Sequence, residues 1–183
     1  MAMGSLRLLC LVLCFLGIQT AAADPRLARL EAALALADAG LEEGDAGLLI
    51  TSLEMLADLG PAGPGADALL PILEEEARFA MRGDPALAAR LEAAQVPRDP
   101  GALWLTPLDP EVSLPADRAV LSVVTPGARL LRVGAEGGPG CAPPEVTDRC
   151  DLAEVLPMEA ATLAVEGAGR GYALFLLAEP ETP

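Results

Sequence analysis

Apolar residues recur at helical spacing along the first half of the chain and in alternation along the second. Leu27, Leu30, Leu34 and Leu41 follow at intervals of three, four and seven, on one helical face. Asp24-Pro25 ahead of them supplies a capping side chain and a residue suited to the first helical position. Gly44-Asp45 breaks that helix and caps a second, carried by Leu49, Ile50, Leu53 and Leu56 as far as Gly60-Pro61. After Gly63-Pro64-Gly65 comes a third, with Leu69, Leu70, Ile72, Leu73, Ala77 and Phe79. Pro71 interrupts its opening, so the pattern predicts helix only from Pro71 to about Arg82. Gly83-Asp84-Pro85 opens a fourth, from Ala86 to about Gln95.

From Val96 to Asp117 the chain is thick with proline, at Pro97, Pro100, Pro107, Pro110 and Pro115. Fixed φ and a missing N–H make this a poorly helical linker, in which Leu103-Trp104-Leu105-Thr106 has the composition of an edge strand. Trp104, the single tryptophan, reads as a plug seating the linker on a core, with a ligand-stacking platform as the alternative. Beyond Arg118 the period changes to two. Val120, Ser122 and Val124 alternate with Ala119, Leu121 and Val123, and Pro126-Gly127 turns the chain into Arg129–Val133. Leu163 and Val165 alternate with Ala164 and Glu166. Gly167, Gly169 and Gly171 bracket a turn, and Tyr172–Leu177 is apolar on both faces, as in a central strand. The expectation is two β-hairpins, one on each side of a crossover loop that Cys141 and Cys150 can close.

The pattern therefore predicts an α+β protein. An N-terminal four-helix module of two α-hairpins (24–95) precedes a proline-rich linker (96–117) and a small antiparallel β-sandwich with one disulfide (118–183). Residues 1–23 stand apart. Arg7, the apolar run Leu8–Ile18 and Ala21-Ala22-Ala23 have the order of a secretory signal cleaved after Ala23. The run is too short to span a bilayer, which takes ~20 residues. In an exported chain, Cys141 and Cys150 form the even pair expected of a disulfide, and their spacing is not that of a two-residue redox motif.

Composition narrows the chemistry. The chain carries a net charge of −15, which repels phosphate backbones and anionic lipid, so nucleic acid is not the expected partner. It has no histidine, lysine or asparagine. That removes Schiff-base chemistry, the usual histidine triads and most zinc sites, and no cofactor or metal is expected. Ser52, Ser113 and Ser122 lie outside any Gly-x-Ser-x-Gly elbow. Paired carboxylates remain as candidates for glycoside hydrolysis: Glu42/Glu43, Glu74-Glu75-Glu76 and Asp109/Glu111. Arg129, Arg132, Arg149 and Arg170 could clamp an anion, although the overall acidity opposes it.

Two resemblances add to this reading. Gly169-Arg170-Gly171-Tyr172-Ala173-Leu174, after a strand pair over Val120–Val133 and an irregular crossover, resembles the end of the bacterial pre-peptidase C-terminal type of β-sandwich. That resemblance implies a non-catalytic interaction module of a secreted protein. Residues 24–95 resemble the helical hairpins of TPR- and HEAT-type repeats, with Leu30 and Leu34 mapping onto Leu69 and Leu73 at an offset of 39. Two hairpins without caps should leave an apolar face partly open. Leu49, Leu53, Leu56, Leu73 and Phe79 are the candidate partner-binding residues. The function expected is that of an exported, non-catalytic binding or assembly accessory protein of the bacterial periplasm. Its partner would be another envelope protein or a second copy. The alternative is a small carboxylate-dependent glycan hydrolase.

Overall fold

The computed structural model describes residues 24–96, 101–108, 118–134, 140–141, 147–157 and 163–179. Among these residues four helices precede antiparallel strands, an α+β arrangement. The helices are α1 (Pro25–Glu43), α2 (Ala46–Leu59), α3 (Pro64–Ala80) and α4 (Pro85–Ala93). Among the described residues no helix is long and apolar enough to cross a membrane.

Aspartates set the helix starts. Asp45 Oδ1 accepts from the N–H of Gly47 at 2.7 Å and of Leu48 at 3.2 Å, and Asp84 Oδ1 accepts from Ala86 and Leu87. Asp24 caps α1 through the Arg26 N–H. The third helix differs from its sequence expectation. It begins at Pro64, seven residues before Pro71, which lies inside it. Pro64 occupies the first turn, where a missing N–H costs nothing, and Pro71 sits on the exposed side, where a helix can bend to absorb the lost bond. α4 packs more extensively against α2 than against α3, and Arg90 of α4 grips Glu54 of α2 at 2.7 Å.

Among the described residues seven strands follow: β1 (Leu103–Pro107), β2 (Ala119–Val124), β3 (Arg129–Gly134), β4 (Gly140–Cys141), β5 (Arg149–Pro157), β6 (Leu163–Glu166) and β7 (Tyr172–Leu177). One sheet has the order β1-β7-β2-β5 and the other β4-β3-β6. β1 is the edge strand expected within the linker. Its register on β7 runs from Leu103↔Leu176 to Pro107↔Tyr172.

The expected hairpins do not form. β2 pairs with β5 and β7, not with β3; β3 pairs with β4 and β6; and β6 does not pair with β7. Both turns carry the chain from one sheet to the other. The Pro126-Gly127 turn is held from outside: the Thr125 N–H donates to the Asp148 carbonyl at 2.7 Å, and the Arg170 N–H donates to the Pro126 carbonyl at 3.0 Å. The second turn is pressed against the first at Gly169, whose φ is +48° and where a Cβ would stand 2.6 Å from the Ala128 nitrogen.

Alternation along β7 divides the interior. Leu174 and Leu176 join one apolar cluster with Leu103, Leu105, Val124 and the buried helical leucines. Ala173, Phe175 and Leu177 join a second cluster, with Val120 and Val123 of the first sheet and Leu130 and Val133 of the second. The helices thus cover one face of the four-stranded sheet. Burying each such leucine is worth roughly 1.5–3 kcal/mol relative to leaving it exposed. The junction is close. Ala62 exchanges backbone hydrogen bonds with Leu103 and Leu105, covering the β1 edge. Gly63, at φ +113°, leaves room for Trp104, whose Cε2 would lie 2.7 Å from any Cβ there. Trp104 is accordingly half-buried against the second cluster, in keeping with a plug.

Candidate docking groove and polar seam

α3 buries Ala66, Leu70, Leu73 and Ala77, spaced four, three and four apart. Residues between those positions must face elsewhere, and Phe79, two beyond Ala77, points away from the core. It is 83% exposed. Ile72, seven residues earlier on the same face of α3, is also exposed. The C-terminal end of α1 brings Leu41 alongside, itself 38% exposed. Between them is a groove of about 380 Å³, lined by Gly40, Leu41, Glu43, Leu49, Glu76, Phe79 and Arg82, among others. Gly40 makes the geometry possible: a Cβ there would stand 2.8 Å from Leu49 Cγ and push α2 off α1.

The five residues singled out from sequence separate here. Leu49, Leu53, Leu56 and Leu73 lie within the intramolecular core, at most 1% exposed. They hold α1, α2 and α3 together. Phe79 alone of the five reaches the surface. A second depression of about 360 Å³ adjoins the groove, sharing Glu43, Gly44, Ala80 and Arg82. Arg82 stands in the left-handed region, at φ +49°, the single non-glycine residue among those described to do so. That conformation is disfavoured for a residue with a Cβ. It fixes an exposed guanidinium-bearing residue at the meeting point of both depressions.

A separate polar seam runs where α1 meets the strand turns. Arg170 pairs with Asp38 at 3.0 Å, and Arg149 pairs with Asp151 at 2.9 Å. Ser122 Oγ also donates to Asp151. The hydrogen bond from Arg149 holds the Asp151 carboxyl below its usual range. Glu31, half-buried on α1, is pushed up, chiefly by burial and further by the charge of Asp148, against the pull of Arg149 and Arg170. Burial likewise raises the Tyr172 phenol, against the pull of the neighbouring Arg170 guanidinium.

The seam resolves several sequence candidates. Arg149 and Arg170 are paired within it and Arg129 pairs with Glu166 at 2.8 Å, so these three guanidinium groups are each engaged by a carboxylate. Ser52 is buried and donates to the Ala33 carbonyl, and Ser122 is buried against the Cys150 carbonyl and Asp151. Glu74 pairs with Arg78, while Glu42, Glu43, Glu75 and Glu76 are exposed. Asp109, Glu111 and Ser113 lie outside the described residues, as does the Cys141 side chain. Among the described residues no cluster of three or more Cys, Asp or Glu is placed to hold a metal. Sequence reasoning missed Glu31 as a raised carboxyl, because its neighbours come from residues more than a hundred positions away. Comparison with protein-family models, curated proteins and solved structures finds no match for this chain.

Proposed function

We propose that this chain is an exported, non-catalytic binding or assembly accessory protein of the bacterial periplasm, acting on another envelope protein through the Phe79 groove. The observation that carries this reading is a large aromatic side chain left 83% exposed beside exposed Leu41, in a groove of about 380 Å³. Buried aromatic anchors supply much of the energy of protein interfaces, and a free one beside a concave apolar surface is the unbound form of such an anchor. The signal-like segment ending at Ala23 supports export. So does the cysteine pair. Cys150 is buried on β5, and β4, which carries Cys141, lies beside β5 from the other sheet. A Cys141–Cys150 bond would staple the two sheets of a sandwich, of the kind the pre-peptidase C-terminal resemblance implies. The full protein, used as bait in a periplasmic extract, should retain a partner that Phe79→Asp releases while its circular dichroism stays unchanged. Equal retention by both baits would refute the assignment.

A second reading, a small carboxylate-dependent glycan hydrolase, is favoured by Glu31, a carboxyl raised by burial with a second carboxylate, Asp148, acting on it. It requires release of reducing ends from purified glycan strands, abolished by Glu31→Gln. Glycan left intact by the wild-type protein would rule it out.

A further inference from the structure

The electrostatics of the Phe79 groove narrow the partner's chemistry. Two helix C-termini border it, that of α1 at Gly44 and that of α3 beyond Ala80, so the negative ends of two helix dipoles lie at it. The last turn of α1 holds no basic residue and ends in Glu42 and Glu43, which is unfavourable for the helix itself. Glu76 lines the groove from α3. The helix N-termini at the adjoining depression, those of α2 and α4, have their first N–H groups taken by Asp45 and Asp84. Arg82 is the single cation among the lining residues, and Arg78 on α3 is engaged by Glu74. The result is an exposed apolar pair, Leu41 and Phe79, flanked by Glu43 and Glu76 with Arg82 as the one opposing charge.

We infer that the groove receives a basic segment of the partner, one that places a large apolar side chain on Leu41 and Phe79 and its arginines or lysines against Glu43 and Glu76. This rests on the docking reading above. A second copy of this chain fits worse, because its net charge of −15 brings like charge to these carboxylates.

Panning a random displayed-peptide library on the whole exported protein tests the inference. Enriched peptides should combine Arg or Lys with Leu, Phe, Met or Trp. Their affinity should fall about tenfold or more with Phe79→Asp, and comparably with the pair Glu43→Arg and Glu76→Arg. Phe79 is exposed, so its substitution should leave the fold intact, and an unchanged melting temperature verifies that. Acidic or uncharged peptides that still depend on Phe79 would overturn the basic partner and leave the docking groove standing. A concentration-dependent dimer in sedimentation, lost with Phe79→Asp, would replace the partner with a second copy. Absence of any Phe79-dependent peptide would overturn the inference and the docking reading together.

Discussion

Ser52 is the residue whose burial has the clearest purpose. Fully enclosed between α1 and α2, it donates through Oγ to the Ala33 carbonyl at 2.7 Å. A buried hydroxyl without that bond would be costly, so its presence fixes how the two helices slide on one another. Ser52→Ala removes the bond yet leaves no unpaired hydroxyl, and should cost about 1 kcal/mol in urea denaturation. No loss at all would mean the register is set by leucine packing alone. Glu31 makes a prediction in pH. Its carboxyl is raised in the folded chain, first by burial, so the folded state holds that proton more tightly than the unfolded one. The stability this confers is complete below the ordinary carboxylate range and is lost as pH rises through the raised value. Asp24, Glu54 and Asp151 are lowered and act oppositely, losing their contribution as pH falls. Comparing Glu31→Gln with wild type isolates the first effect. The variant should match wild type near pH 4 and be the more stable at pH 7; a difference of the opposite sign would show that Arg149 and Arg170 outweigh burial.

Elements were legible where a local rule decides them. Asp-Pro and Gly-Asp pairs marked three helix starts, because a capping carboxylate acts within three residues of itself. The doubly apolar run Tyr172–Leu177 marked a central strand, because each of its faces meets a different cluster. Strand pairing was not legible. Pro126-Gly127 and Gly167–Gly171 announce a reversal, but the same residues serve a turn within one sheet and a turn between two. What decides is the contact between the turns at Gly169 and Pro126, some forty residues apart in sequence. The site was legible only in part, for a similar reason. Leucine spacing defined the faces holding Leu49, Leu53, Leu56 and Leu73 but could not say that other helices cover them. Phe79 was named among them, and the seam around Glu31 could not be assembled without the fold. The crossover between the sheets carries its own prediction. Cys141→Ser should cost roughly 2–3 kcal/mol if the short loop is closed by a disulfide. Alkylation of the unreduced, denatured wild-type protein should label neither Cys141 nor Cys150, and labelling of both would remove the staple.

At the scale of the molecule, the helices and the four-stranded sheet share one apolar cluster, with Leu103, Leu105, Leu174 and Leu176 on the sheet side. Taken from sequence, the β half is the more autonomous unit. The shared cluster argues that removing the helices uncovers those leucines. A fragment starting at Val96 should therefore bind a hydrophobic dye and melt without a sharp transition, whereas a cooperative melt would establish the β half as a domain in its own right. With the helices in place, that face is spent inside the molecule, while Leu41 and Phe79 stay exposed. The most direct test of its role is a photo-crosslinking residue placed at Phe79 in the full chain in living cells, with Leu131, exposed on β3, as the control position. Irradiation should join position 79 to one basic envelope protein and leave position 131 without an adduct. No adduct at 79, or an equal yield at 131, would contradict the account.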